Sequence, residues 1–308
     1  MSGPVSDMDE SGLATRFQEI IFAALAAVLV FCIFHFWGNR SNVGMSTPSL
    51  FVWIGHQWVQ DGGDFSHGWI MPLISLGVVW MKRRELAAAC ADEPNYLGLA
   101  LLIASLALHW AALRAQQPRV SLVALVGVLW SVPFFLYGKK VAAILLFPAG
   151  YLLLCFTSYL LISFTMYLRL ASCALSCWLL NGLGITAIRH GTAIYSAAAG
   201  GFNFDVADPC SGLRSLVVMT ALAAPYAYFT QDNQLKRWFL FALSIPLAML
   251  ANVTRIVTIA LVAQAFGTDV AMSIYHDYSG YLVFGIATLL LVSAGHALSK
   301  VKAGRVEQ

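Results

Sequence analysis

Charge is what this sequence lacks. Only 11% of its 308 residues are Asp, Glu, Lys or Arg, while 59% are hydrophobic and the mean hydropathy is +0.75. Soluble domains carry about 25% charged residues. A chain this poor in charge cannot cover itself with a polar surface, which excludes an ordinary soluble domain. The net charge of +3 says little about nucleic acid, because the basic residues stand in short clusters between apolar runs. Metal and disulfide patterns are missing as well. The six cysteines are Cys32, Cys90, Cys155, Cys173, Cys177 and Cys210. They form no CxxC pair and no Cys/His metal spacing, so neither a disulfide framework nor a zinc site is expected, and no cofactor is implied. Four of them lie in apolar runs, where a small buried thiol is the ordinary reading. Cys210 alone has polar neighbours on a segment boundary. The first 18 residues, read as a cytoplasmic tail, lack the basic start of a cleaved signal peptide. The first apolar run is therefore expected to remain as an anchor.

What the sequence does have is apolar runs, several of about 17–25 residues, long enough to cross a bilayer. They fall at Glu19–Trp37, Trp69–Met81, Leu97–Leu113, Val120–Tyr137, Val141–Met166, Leu213–Thr230, Trp238–Ala265 and Tyr278–Leu298. Basic clusters at Lys82-Arg83-Arg84, Lys139-Lys140, Lys236-Arg237 and Lys300/Lys302/Arg305 orient them. With Arg16 inside, eight spans place every cluster on the cytoplasmic side. Only the scattered Arg40, Arg114, Arg119, Arg169 and Arg189 are left outside, which is the positive-inside pattern. The expectation is an all-α polytopic membrane protein of about eight transmembrane helices, with both termini cytoplasmic. Residues 19–298 form one transmembrane domain, and 299–308 form a cytoplasmic tail.

The stretch Leu168–Asn181 is short and carries Arg169. If it spanned, Lys236-Arg237 would lie outside, so it reads as a helix at the outer face or packed within the bundle. Gly182-Leu183-Gly184 breaks it. Ile194-Tyr195 and the alternating Phe202–Val206 flank Gly200-Gly201 and predict a small hairpin. Together these make an extracytoplasmic helix/hairpin insertion at about 167–211. Pro225 and Pro246 predict kinks.

The insertion leads into Asp208-Pro209-Cys210-Ser211-Gly212-Leu213-Arg214, and two later stretches look like its partners: Asn252-Val253-Thr254-Arg255 and Tyr275-His276-Asp277. Cys210 opens a helix on the outer side. Arg255 lies about 25 Å along a helix that leaves the cytoplasm at Trp238, hence in the outer part of the bilayer. His276 also opens a helix on the outer side. Three segments thus bring a thiol, a guanidinium and an imidazole to one membrane level. The positive end of a helix dipole and the nearby Arg214 favour a Cys210 thiolate, which can attack a carbonyl; an inert interfacial thiol is the plain alternative. Arg255 either stabilises an oxyanion or holds a substrate carboxylate, with Asn252 in support; snorkelling is its plain alternative. His276 fits a general base and acid, and His67, in Ser66-His67-Gly68, competes for that role or gates substrate. Asp208 reads as a helix cap. Ser211 completes the polar stretch around the thiol.

At these motifs the chain resembles the exosortase/archaeosortase family, polytopic membrane cysteine transpeptidases. Ser66-His67-Gly68 with Pro72 resembles an N-terminal signature. Cys210-Ser211-Gly212-Leu213-Arg214-Ser215-Leu216 resembles the core motif, Ala251–Ile256 the second and His276-Asp277-Tyr278-Ser279-Gly280 the third. Carried over residue by residue, the resemblance implies Cys210, Arg255 and His276 as catalytic, with Asp208 where the family often has glutamate. It also implies secreted substrates with a C-terminal tripartite sorting signal: a short motif such as Pro-Glu-Pro, an apolar helix and a basic end. Cleavage at the outer face of the cytoplasmic (inner) membrane would transfer them to an acceptor linked to exopolysaccharide or lipid. Two other classes stay open from the residues: a transporter of a polysaccharide or lipid precursor, using Arg255 and Arg214 as anion sites, and a non-catalytic scaffold. The lack of an evident internal repeat speaks against the transporter.

Overall fold

Each apolar run has a helix at its centre, as hydropathy of this strength in a bilayer requires. The computed structural model describes residues 21, 24–41, 45–59, 66–90, 94–156, 162–197, 202–205, 213–271 and 276–300. The chain divides into two compact units, Met1–Leu153 and Leu154–Gln308.

The first unit contains α1 (Ala24–Phe36), α2 (Leu50–Val59), α3 (Ile70–Met81), α4 (Arg83–Ala89), α5 (Tyr96–Arg114) and α6 (Pro118–Leu152). Its main contact is α5 against α6. Gly98 lets the two backbones touch: a methyl group there would come 2.7 Å from Cα of Phe135. The long α6 is two limbs rather than one rod. Trp130 Nε1 donates to the Ala142 carbonyl at 2.9 Å, whereas twelve residues of straight helix would separate them by about 18 Å. The reversal sits at Gly138, whose φ of +83° suits a residue without Cβ. The separate runs 120–137 and 141–166 of the sequence are these two limbs. The second limb ends sooner than hydropathy predicts, in a short 3-10 turn at Leu153–Phe156.

The second unit begins with α7 (Ile162–Gly182), then β1 (Ala187–His190), β2 (Ala193–Ser196), β3 (Asn203–Asp205), α8 (Leu213–Thr230), α9 (Gln234–Phe266) and α10 (His276–Lys300). The expected helix at 168–181 is longer, starting six residues earlier. It stops in a Schellman pattern: Ile185 N–H bonds the Leu180 carbonyl at 3.0 Å and Gly184 N–H bonds that of Asn181 at 3.1 Å, with Gly184 at φ +84°. The predicted hairpin is the antiparallel β2/β3 pair, with Ile194 opposite Phe204. One strand was not predicted: β1 adds to the other edge of β2 through a two-residue turn with Gly191 at φ +64°. Asn181 ties α7 to this sheet. Its amide donates to the Ala187 carbonyl at 2.9 Å and accepts from Ala187 N–H at 3.2 Å. Cys173 and Cys177 pack and bond backbone carbonyls in the same place, the ordinary role for buried thiols.

Four helices among the described residues are long and apolar enough to cross a membrane: Tyr96–Arg114, Pro118–Cys155, Gln234–Phe266 and Tyr278–Lys300. Three more apolar helices, Ala24–Phe36, Ile70–Met81 and Ser215–Thr230, are shorter. The chain is an α-helical membrane protein; length and composition do not reach the expected count of eight crossings. Pro225 and Pro246 lie inside α8 and α9 without ending either helix.

Candidate active site

Three helices of the second unit, α8, α9 and α10, pack on one another. α8 and α9 form a hairpin closed by Gln231–Asn233, so they run antiparallel. The Asn233 side chain caps α9 by accepting from Leu235 N–H at 2.9 Å. α8 and α10 run parallel, as three contacts in register show. Thr288 Oγ1 lies 3.7 Å from Met219 Sδ. Tyr226 OH donates to the Val292 carbonyl at 2.9 Å, and Gln231 Nε2 to that of Gly295 at 3.0 Å. Gly295 makes the approach possible, because a Cβ there would stand 2.5 Å from the Tyr226 ring.

This register brings the starts of α8 and α10 to one end of the bundle. Lys236, Arg237 and Lys300 lie toward the other end. From Arg237 to Arg255 is eighteen residues of α9, or about 27 Å. Arg255 accordingly lies at the end where α8 and α10 begin.

There it meets α10 directly. The Arg255 guanidinium lies so near the α10 backbone that a methyl group on Gly280 would stand 3.4 Å from Cζ and 3.6 Å from Nε. Gly280 is one turn below His276, the first residue of α10. Asn252, one turn before Arg255 on α9, is buried at 5% exposure, and Ser279 beside Gly280 is buried at 3%. A guanidinium beside the first turns of a helix favours negative charge nearby. An arginine in this setting is costly unless it serves a ligand or a partner.

The predicted site residues divide as follows. Arg255 and Asn252 share α9, and Arg255 touches α10 one turn from His276. Arg214 and His276 are in the first turns of α8 and α10, and His67 is in the 3-10 turn Ser66–Trp69 of the first unit; their side chains lie outside the described residues, as do Asp208, Cys210 and Ser211 entirely. Gly68, beside His67, is packed under the Trp58 indole so closely that a Cβ would collide with it, which gives this glycine a packing reason. No group of three or more His, Cys, Asp or Glu suited to a metal occurs among the described residues. Sequence reasoning missed one feature: Gly280 as the seat of the guanidinium.

Helices of bilayer length, with an arginine and a buried asparagine toward one end of the second unit, define the class: a polytopic α-helical membrane protein. The family follows from comparison with known proteins. A family profile described as transmembrane exosortase matches residues 58–293, well over half of the chain, and the chain belongs to that family. Membership supports a membrane transpeptidase-type activity in general terms. No curated protein and no solved structure matches the chain.

Proposed function

We propose that the chain is a membrane cysteine transpeptidase that cleaves the C-terminal sorting signals of secreted proteins at the outer face of the cytoplasmic membrane. The observation that carries this reading is the seat of Arg255 on the first turns of α10, one turn from His276. Cys210 precedes Leu213, the first residue of α8, by three positions. Three residues of chain reach at most about 11 Å, which supports a thiol near that end of the bundle.

In this reaction the Cys210 thiolate attacks the scissile carbonyl and a tetrahedral intermediate forms. The Arg255 guanidinium donates to its oxyanion, a role that costs little reorganisation when the donor is already in place. As the C–N bond breaks, His276 gives its proton to the leaving amine, and a thioester on Cys210 remains. An acceptor nucleophile, linked to exopolysaccharide or lipid, then attacks the thioester, His276 takes the proton the acceptor loses, and the C–S bond breaks to return the Cys210 thiolate. A substrate with a Pro-Glu-Pro-like motif, an apolar helix and a basic tail fits eight crossings with both termini cytoplasmic. Its tail stays with Lys236, Arg237 and Lys300, and its motif reaches the opposite end.

The test is Cys210→Ala and Cys210→Ser, with a tagged sorting-signal substrate followed by size. Both variants are expected to abolish processing, and wild-type protein is expected to yield a Cys210-linked peptide adduct by mass. Normal processing by Cys210→Ala would end the proposal.

A further inference from the structure

Cations gather at one end of the first unit. Lys82, Arg83 and Arg84 stand where α3 gives way to α4, and Lys139 and Lys140 follow the reversal of α6 at Gly138. The two groups are far apart in sequence, and packing brings them level. α4 packs on α6. The chain then enters α5 past Asn95, whose N–H donates to the Phe135 carbonyl at 2.8 Å, just ahead of the reversal. Ser75 Oγ on α3 donates to the Pro148 carbonyl at 2.9 Å. From that tie, seven residues of helix, about 10 Å, lead forward to Lys82 and back to Val141. α3 and the second limb of α6 therefore run antiparallel, with their basic ends together.

This end is short of carboxylates. Glu85 is bonded to Lys82 at 2.7 and 2.9 Å. Asp92 and Glu93 lie outside the described residues; counting them, five cations still outnumber three carboxylates. Arg84, Lys139 and Lys140 are exposed and make no hydrogen bond or ion pair among the described residues. Arg83 Cζ lies 4.4 Å from the centre of the Trp80 ring, and Nη1 donates to the Trp80 carbonyl at 3.0 Å. The guanidinium keeps further N–H groups for another acceptor. Beside these cations runs uncovered apolar surface. Leu73, Leu76 and Trp80 follow helical spacing along α3 and are 58%, 65% and 67% exposed. An apolar stripe that ends in unpaired cations matches an amphiphile, with hydrocarbon beside the helix and an anionic group at its end.

We infer that the α3/α4 junction and the α6 reversal form a site for the phosphate headgroup of an anionic phospholipid, whose acyl chain lies along Leu73, Leu76 and Trp80. Each basic residue near a bilayer surface attracts anionic lipid. Two clusters held level by the Ser75–Pro148 tie add their fields at one place. Exposed, unpaired lysine and arginine side chains are free to turn to a common phosphate, and the guanidinium fork suits its oxygens. Trp80 fits the same level, because amphipathic rings favour the headgroup region. A free phosphate would meet the cations and leave the stripe uncovered, whereas a phospholipid satisfies both. The site lies within the first unit and does not depend on the transpeptidase reading.

The full-length chain is reconstituted in nanodiscs of phosphatidylglycerol and phosphatidylcholine in equal parts, with the same acyl chains. It is then released into mild detergent, and the lipids it retains are counted by native mass spectrometry. The wild-type chain is expected to retain phosphatidylglycerol in preference. Lys139→Gln with Lys140→Gln should reduce that retention by about 10- to 30-fold, the range for losing two cation–headgroup attractions. Lys236→Gln with Lys300→Gln removes the same charge from the second unit and should leave retention within about twofold, because the attraction falls off within a Debye length. Lys139→Arg with Lys140→Arg should keep it. Equal loss in the two glutamine pairs would mean diffuse attraction to any basic surface and overturn the site. So would a wild-type chain that retains both lipids alike, or a loss in the arginine pair as large as in its glutamine counterpart. Displacement of the retained lipid by glycerol phosphate, which carries the anion without the acyl chain, would assign the cations to a free phosphate and overturn the lipid assignment.

Discussion

Arg237 and Arg255 lie on one helix, about 27 Å apart, and are held in opposite ways. Arg237 is a clamp. Its Nε donates to the Gln231 carbonyl at 2.8 Å, and its Cζ lies 4.9 Å from the centre of the Tyr228 ring. Gln231 belongs to the α8/α9 turn and Tyr228 to the last turn of α8, so the arginine closes the hairpin on itself. Arg255 instead rests against the backbone of a different helix, at a position kept open by Gly280. A clamp needs donors satisfied within its own turn. A site needs a cation placed by shape, near groups that arrive from other segments. Residue type alone does not separate the two; their settings do, since Arg237 stands in a polar stretch at the start of α9 and Arg255 interrupts apolar sequence, where charge is costly.

The largest expected effect separates them. Arg255→Ala should lower processing of a tagged substrate by about 100- to 1,000-fold, the range for losing one oxyanion donor, with little change in Tm. Arg255→Lys should recover only a fraction, because the fork is lost. A Tm that falls as far as activity does would make Arg255 a second clamp and dissolve the contrast.

The contrast sharpens at Gly280. Alanine there would stand at ordinary contact distance, 3.4 Å from Arg255 Cζ, so Gly280→Ala should reduce processing only a few-fold. Gly280→Leu must displace the guanidinium. A misplacement of about 1 Å can cost on the order of 100-fold, so processing is expected to drop by about that factor. If alanine and leucine behave alike in the kinetic assay, the seat does not position the guanidinium.

The axial level of Arg255 was legible in the sequence and its lateral placement was not. Rise per residue and the basic clusters placed Arg255 and His276 at one end of their helices, and the structure puts Arg255 one turn from His276. Which face of α9 meets which turn of α10 depends on packing between segments far apart in sequence. Only the structure shows Gly280 beneath the guanidinium. The apolar runs were legible for the same reason as the level: hydropathy is local. The break between runs 120–137 and 141–166 was readable, although the reversal at Gly138 that brings Trp130 onto Ala142 was not. β1 escaped notice because Ala187–His190 is four residues with little alternation, and its pairing depends on the turn at Gly191.

The smallest effect is expected at the clamp, and it tests the contrast from the other side. Arg237→Ala removes one charge-assisted hydrogen bond and one cation–π contact, each worth about 1 kcal/mol or somewhat more when partly buried. Gln231 loses a partner for its carbonyl, but its side chain still bonds the Gly295 carbonyl, so the α8/α10 register survives. The hairpin also keeps its Asn233 cap. The cost should therefore stay near 1–2 kcal/mol, read as a modest fall in Tm in detergent, with processing by the protein that remains folded within about twofold of wild type. A local clamp leaves the α8/α10 register unmoved, because it is set by Tyr226 on Val292 and by Met219 beside Thr288. A large loss of processing at unchanged Tm would show that the two arginines communicate along α9. Arg237 would then act on the site rather than on the turn.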